Sequence, residues 1–366
     1  MADKKLRVGV IGSGFGSVVH IPAYQSEDVE VAAVWSRSKE RVEETAQKHG
    51  IPRALTDYQE LLRMDDIDAV SIVSPVAYHY EMTMAALDAG KHVLCEKPFA
   101  LNQQQAKEMW QKAESKGLTA MIAHEFRFAS ARQRVKELID EGYLGGLHMA
   151  VIELANGPRT GGFESRPLSD RDDASRGAGQ LFSMGSHYID CLRHWFGEIT
   201  SVSGHLESHG GERTDASGAT VRATADDTFN FVVTFAGGGW ATMTGSGAAP
   251  FGPGARVEIF GHDGTLITPH TGTGNNPPSH GTIFGAKVGA EKLEMIPIPA
   301  HLEPFDDDRD DRLMPMRLLV REFRRGIEEG TSPAPNFYDG YRCQQVLDAV
   351  RESSASGRVV TIPPVE

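Results

Sequence analysis

Close to its start the chain reads Val8-Gly9-Val10-Ile11-Gly12-Ser13-Gly14-Phe15-Gly16-Ser17. A short apolar strand, a glycine turn and a helix opening follow one another without a gap. Glycine at the first turn position lets the backbone double back. At the second it leaves room for a pyrophosphate, and the helix beyond offers free N–H groups and the positive end of its dipole. The run predicts a dinucleotide-binding βαβ unit with Gly12, Gly14, Phe15 and Gly16 at the phosphates. The third fingerprint position is Ser17, a small residue that still permits close helix–strand packing.

The next hundred or so residues keep this rhythm. Strands are expected at 29–35, 69–73, 92–95 and 119–123, with helices at 39–48 and 81–89. Asn102 reads as an N-cap, with Gln105 three residues on, opening a helix to about residue 116. Alternating strands and helices imply a parallel sheet covered on both faces. The acid that an NAD site carries about 20 residues after the glycines is missing. Ser36-Arg37-Ser38 stands there, and the first carboxylate is Glu40. A forked Arg37 pairing with a 2′-phosphate, flanked by two hydroxyls, favours NADP over NAD; a solvated arginine beside an NAD site is the alternative.

The remainder differs. Strands are expected at 147–154, 202–207, 228–235, 240–246 and 256–260, with Phe229, Phe231, Val233 and Phe235 on one face of a half-exposed strand. Ala236-Gly237-Gly238-Gly239 reads as a hairpin loop. Segments 155–180, 209–225 and 269–290 read as loops, and helices are expected near 313–328 and 341–352. The fold class is therefore α/β + α+β: an N-terminal Rossmann doubly wound parallel sheet, then an α+β domain with a large, mostly antiparallel open sheet. The 366 residues, at about 150 per domain, divide into an NAD(P)-binding domain at 1–125 and a substrate-binding and oligomerisation domain at 126–366. The C-terminal helices have the option of packing back on the first domain.

The net charge of −13 disfavours nucleic acid and anionic membrane as partners. Three cysteines without a C-x-x-C pair suit a reducing compartment, and no apolar run approaches a membrane span, so a cytoplasmic protein is expected. The acidic run 306–312 has Asp311 at the sixth calcium-loop position and Arg317 at the twelfth, which excludes an EF-hand. It reads as a solvated surface segment, and no metal is expected.

Residues 66–75 read Asp-Ile-Asp-Ala-Val-Ser-Ile-Val-Ser-Pro, with His79 following, and residues 90–98 read Gly-Lys-His-Val-Leu-Cys-Glu-Lys-Pro. These segments resemble the glucose–fructose oxidoreductase/inositol dehydrogenase (Gfo/Idh/MocA) family, and the likeness extends over essentially the whole chain. The resemblance implies a Rossmann domain followed by an open-sheet domain, and hydride transfer between NAD(P) and sugars, polyols or related compounds. It assigns Lys97 a place beside nicotinamide and substrate, next to a Lys–Pro bond that is often cis. Ser74, Pro75, His79 and Glu96 join Lys97 on the cofactor side. In the element at 177–190, His187 and Asp190 match the family pattern, but Ser183 stands where the family carries Asp. Val76 replaces the Asn of the Ser-Pro loop. His124 and Arg127 fall in the segment leading to the second domain, as substrate-side candidates with Ser183 and Asp190.

Hydride transfer needs a proton acceptor and a donor for the developing oxyanion. Lys97 suits the second task and His187 the first. Ile189, Leu192, Trp195 and Phe196 recur at helical spacing, so Ser186 is expected to cap a helix with His187 in its first turn. There the dipole keeps an imidazole neutral; a structural histidine is the alternative. Asp190 is expected either to orient a neighbour or to pair with Arg193 at the surface. Tyr188 reads as packing. Arg159, Arg166, Arg171 and Arg176, with Asp170, Asp172 and Asp173, form a mixed-charge loop for substrate contact or for solvated ion pairs. The reading is an NAD(P)-dependent oxidoreductase with a small-molecule substrate. It assembles as a dimer or tetramer through the open sheet face. A redox-assisted glycosidase with tightly held NAD, and a non-catalytic dinucleotide-sensing regulator, stay open beside it.

Overall fold

The computed structural model describes residues 5–157, 172–214, 217–269 and 281–364. The chain divides into two compact units: residues 1–128 with 307–344, and residues 129–306 with 345–366.

In the first unit, β1 (Arg7–Ile11), α1 (Ile21–Ser26), β2 (Glu30–Trp35), α2 (Lys39–His49), β3 (Ala54–Leu55), α3 (Tyr58–Leu62), β4 (Ala69–Ile72), α4 (His79–Asp88), β5 (His92–Cys95), α5 (Gln103–Lys116) and β6 (Ala120–Ile122) follow in order. The six strands form one parallel sheet in the order β3-β2-β1-β4-β5-β6. Strand order reverses between β1 and β4, and in doubly wound sheets ligands bind in the crevice at such a switch point. The helices begin and end where local chemistry dictates. Asn102 accepts a 3.0 Å hydrogen bond from the Gln105 N–H and caps α5, as expected, and Gly117 closes it in the left-handed region.

The second unit opens with α6 (Ser130–Asp140) and β7 (Leu147–Ala155). Next come α7 (Ser186–Phe196), β8 (Ile199–Glu207), β9 (Glu212–Thr214), β10 (Thr220–Arg222), β11 (Thr228–Phe235), β12 (Trp240–Ser246), β13 (Gly254–Gly261), β14 (Gly264–Thr268), β15 (Ile283–Lys287) and β16 (Glu294–Ile296). Among the described residues a nine-stranded sheet runs β16-β15-β14-β13-β7-β12-β11-β8-β17, where β17 is Val360–Thr361. It is antiparallel except for the β12–β7 pair. Two expected loops contain strands: β9 and β10 pair as a hairpin within 209–225, and β15 lies within 269–290. Glycine and polar residues marked these stretches as loops, but cross-strand pairing decides a strand and leaves little trace in composition.

The two late helices are α8 (Leu313–Glu329) and α9 (Phe337–Ser356), and the division between units falls within α9. Met316, Leu319, Val320 and Phe323 of α8 join Val8, Val31 and Tyr24 in one buried core. Each such side chain contributes about 1.5–3 kcal/mol by leaving water. The Glu27 carboxylate accepts from Arg317, at 2.7 Å, and from Arg321, tying α8 to the turn after α1. The run 306–312 is not simply solvated: the Asp307 side chain is 3% exposed and accepts from Arg309 and Arg317. Among the described residues no helix is long and apolar enough to cross a membrane.

Candidate active site

The glycine loop leaves β1 at the switch point. Gly12 has a φ of +136°, and a β-carbon there would lie 2.4 Å from the Val73 carbonyl oxygen. No other residue fits that position without moving the backbone. A β-carbon on Gly16 would meet Val10 at 3.1 Å, so the close helix–strand packing expected of Ser17 falls on Gly16. Ser17 instead shares a 3.0 Å hydrogen bond with His49. Gly14 is exposed, and a β-carbon there would meet nothing within 4 Å. Phe15 is half-buried, its ring edge-on to His20 and under the Arg312 guanidinium. Bare backbone facing open space directly after a switch-point strand is a fit for a dinucleotide pyrophosphate.

Ser36, Arg37 and Ser38 follow β2. Arg37 is exposed, 5.5 Å over the Tyr78 ring, with its nearer nitrogen 3.4 Å from the Tyr78 hydroxyl. Ser38 caps α2 by accepting from the Arg41 N–H, and the Ser36 hydroxyl accepts from the Ser38 N–H. The two hydroxyls are thus engaged in shaping the turn, and the guanidinium is the group that projects.

After β4 the chain runs through Ser74 and Pro75 to His79. That imidazole is buried, 2.8 Å from the Ser74 carbonyl oxygen and 2.9 Å from that of Pro98. Burial lowers its pKa despite these acceptors. With a carbonyl oxygen against each ring nitrogen, His79 ties two loops together rather than presenting a ring edge. The Lys97–Pro98 peptide is cis, and Lys97 is half-buried. Glu96 is buried, accepting from the Lys97 N–H at 3.1 Å and contacting His20 at 2.7 Å. Burial pushes this carboxyl up, but His20, Lys97 and His79 outweigh burial and hold it below its ordinary range. His124, buried, lies two residues after β6, and the buried Arg127 lies 3.8 Å from the Asp339 carboxylate at the start of α9.

In the second unit, a wide π-type turn, Leu181–Gly185, runs straight into α7. Ser186 does not cap: its hydroxyl donates to the Phe182 carbonyl at 2.7 Å, four residues back. His187 therefore follows an existing helical turn, and the expected first-turn dipole argument for its neutrality does not apply. His187 is buried and Ser183 exposed. Asp190 is fully buried rather than at the surface, and Arg193 donates to Glu198 at 2.6 Å. Tyr188 packs in the core and accepts from Arg132. Asp172 is buried, and Asp173 caps the short turn Ala174–Arg176. Arg159, Arg166, Asp170 and Arg171 lie outside the described residues.

One residue escaped the sequence reading. The Asp226 carboxylate accepts from the Leu181 N–H and so starts the helical run bearing Ser183 and His187. It also lines an open cleft of about 270 Å³ with Phe182, Glu207, Arg222 and Arg351. A lone Asp in a polar stretch carries no periodic signal that would mark it.

Comparison with known proteins is consistent across the chain. Residues 6–124 match a family described as "Oxidoreductase family, NAD-binding Rossmann fold", and residues 132–267 match the "GFO/IDH/MocA C-terminal domain". An uncharacterized oxidoreductase of Synechocystis sp. is 30% identical over 366 residues, covering 99% of this chain and 97% of that protein. Levoglucosan dehydrogenase of Pseudarthrobacter phenanthrenivorans is 26% identical over 403 residues, covering 99% of each chain. A solved levoglucosan dehydrogenase complex with NADH and levoglucosan superposes with a TM-score of 0.86 at 25% identity, covering 99% of this chain and 100% of that one. An oxidoreductase domain protein of Kribbella flavida superposes at 0.88 with 27% identity, covering 98% and 100%.

Proposed function

The chain belongs to the GFO/IDH/MocA family of NAD(P)-dependent oxidoreductases, and we propose that it oxidises or reduces a cyclic sugar or polyol with NADP in preference to NAD. The observation that carries the dinucleotide reading is the Gly12 turn, which leaves no room for a β-carbon and opens bare backbone at the switch point. Arg37, projecting at the end of β2 where an NAD site holds a carboxylate, supports the preference for the 2′-phosphate. The levoglucosan dehydrogenase relative supports an anhydro- or pyranose sugar as substrate class. The division of labour follows: residues 1–125, with residues 307–344 packed into their unit, hold the cofactor, and the rest of residues 126–366 serves substrate and assembly.

A bound nicotinamide supplies the hydride acceptor or donor. The Lys97 ammonium donates to the substrate oxygen, which polarises a carbonyl in reduction and steadies an alkoxide in oxidation. His187 exchanges the hydroxyl proton at an imidazole nitrogen. Ser183 leaves this proton path without the carboxylate that the resemblance implies for many family members. Gly12, Gly14, Phe15 and Gly16 hold the phosphates, while Ser74, Pro75, His79 and Glu96 shape the nicotinamide side. His124, Arg127 and Asp190 support the substrate side.

The open sheet face supports self-association. A single ladder of one face runs Val232, Thr242, Val151, Glu258, Ile267, Phe284 and Met295 across seven strands. Val232 and Met295 are 42% and 66% exposed, and Trp240 on the same face is 40% exposed. A second copy covering this face removes that apolar surface from water, and sedimentation of the wild type against Trp240→Lys tests it. Three buried cysteines outside any disulfide support a cytoplasmic location.

The test of function is a panel of sugars and polyols, levoglucosan included, run separately with NAD and NADP while reduced cofactor is followed by absorbance. Turnover with at least one member is expected. Binding of dinucleotide with no turnover throughout the panel favours the regulator. Retained NAD with product formed but no net redox change favours the glycosidase.

A further inference from the structure

The three segments at the cofactor end of the first unit are joined by one side chain that no family motif quoted above includes. His20 closes the wide turn Gly16–His20, just after the glycine loop. It is fully buried. One ring nitrogen is 2.8 Å from the Ser71 hydroxyl on β4, and the other is 2.7 Å from Glu96, directly after β5. The second Glu96 oxygen accepts from the Lys97 N–H, and the Glu96 N–H donates to Ile72 at 2.9 Å. We propose that His20 is a positioning residue: through Glu96 it fixes the turn from which the Lys97 side chain departs, and it links that turn to the glycine loop. The proposal rests on the reading of Lys97 as the group acting on substrate oxygen.

The physical reason is the cost of an unpaired buried carboxylate. Glu96 is 6% exposed, and a buried carboxylate must be paired, hydrogen-bonded or protonated. His20 supplies the partner on one oxygen while the Lys97 N–H takes the other. Without His20, the carboxylate has two ways to relieve its charge. It can draw in the ammonium of the adjacent Lys97, or it can take up a proton and lose its hold on the turn. Either response moves Lys97 rather than the fold as a whole. Ser71 sets the ring plane from the opposite side, so the imidazole cannot rotate away from Glu96 without breaking that contact. Phe15, edge-on at 5.7 Å, places the same ring against the glycine loop.

The experiment compares His20→Ala, His20→Gln and Lys97→Ala with wild type, using NAD or NADP and the fastest sugar of the panel. His20→Ala is expected to lower kcat by about 100-fold, the order of loss that a displacement of about 1 Å brings. The cofactor Kd should change by less than about fivefold, well under one such step. His20→Gln keeps a donor for Glu96 and should recover at least about tenfold of the loss. An independent readout is the Lys97 ammonium signal after isotope-labelled reductive methylation, identified by its absence in Lys97→Ala. Its chemical shift should move in His20→Ala, because either response of Glu96 changes the charge or the distance that the ammonium faces. The proposal is overturned if His20→Ala keeps kcat within about threefold of wild type, below half a decade. It is also overturned if Gln rescues nothing, or if the Lys97 signal is unmoved. Should His20→Ala fail to fold, His20→Leu, which fills the space without a donor, and Ser71→Ala take its place; unchanged kcat and an unmoved Lys97 signal in both overturn it equally. An active Lys97→Ala overturns the reading of Lys97 itself, and a dead Lys97→Ala beside a fully active His20→Ala overturns only the role of His20.

Discussion

The Asp226 carboxylate accepts a 2.7 Å hydrogen bond from the Leu181 N–H, and the Asp226 carbonyl accepts one of 2.9 Å from Gln180. Burial, ahead of the hydrogen bonds that oppose it, pushes this carboxyl up from 3.8 to about 6. The native state therefore holds a proton that the unfolded chain releases earlier. Its contribution to stability is complete below the ordinary carboxylate value and is lost as pH rises through about 6. Above that the ionised group carries a penalty of up to about 3 kcal/mol. Asp226→Asn retains an acceptor oxygen without the charge. Calorimetry should find the variant close to wild type near pH 4 and more stable by a few degrees at about pH 8. A gap that does not change with pH contradicts the assignment.

Gly12→Ala places a β-carbon against the Val73 carbonyl at a backbone angle that alanine rarely adopts. Stability should fall by about 2–4 kcal/mol, measured by urea unfolding. Dinucleotide binding, measured by calorimetric titration, should vanish; a variant that binds normally removes the loop from the cofactor site.

Arg37→Ala separates the two cofactors. Loss of a charge-assisted pairing of about 1.5–3 kcal/mol weakens NADP by about tenfold to a hundredfold. NAD, lacking the 2′-phosphate, should be little affected. Equal losses for both dinucleotides would exclude the 2′-phosphate role.

Lys97→Ala should lower kcat by at least about 100-fold, as removal of an oxyanion donor does. Cofactor Kd should stay close to wild type because the Glu96 contacts run through the backbone N–H of residue 97 and through His20. Stopped-flow turnover and fluorescence titration separate the two effects.

Ser183→Asp returns the family carboxylate to an exposed position four residues before His187. Activity on the best panel sugar should hold or rise. A collapse would show that the serine hydroxyl has a task of its own.

Local features of this protein were legible without a structure. The Gly12 turn is written in neighbouring residues because a tight backbone path restricts each of them directly. So is the Asn102–Gln105 cap, three residues apart, and so is the alternation of Phe229, Phe231, Val233 and Phe235, whose inward set is buried on β11. Periodicity reports which face meets the core, and here it reported correctly. What it does not report is which distant segment supplies the other side. Only the tertiary fold brought Glu96 to His20 across 76 residues and Asp226 to Leu181 across 45. It also seated Phe323 of α8 in the core with Val8, made Gly16 rather than Ser17 the close-packed position, and drew β15 into the sheet from a stretch that reads as loop. These outcomes depend on burial and pairing between segments far apart in the chain. A single side chain then acquires its role from its surroundings, as the carboxylates of Glu96 and Asp226 do, and nothing in its immediate sequence announces it.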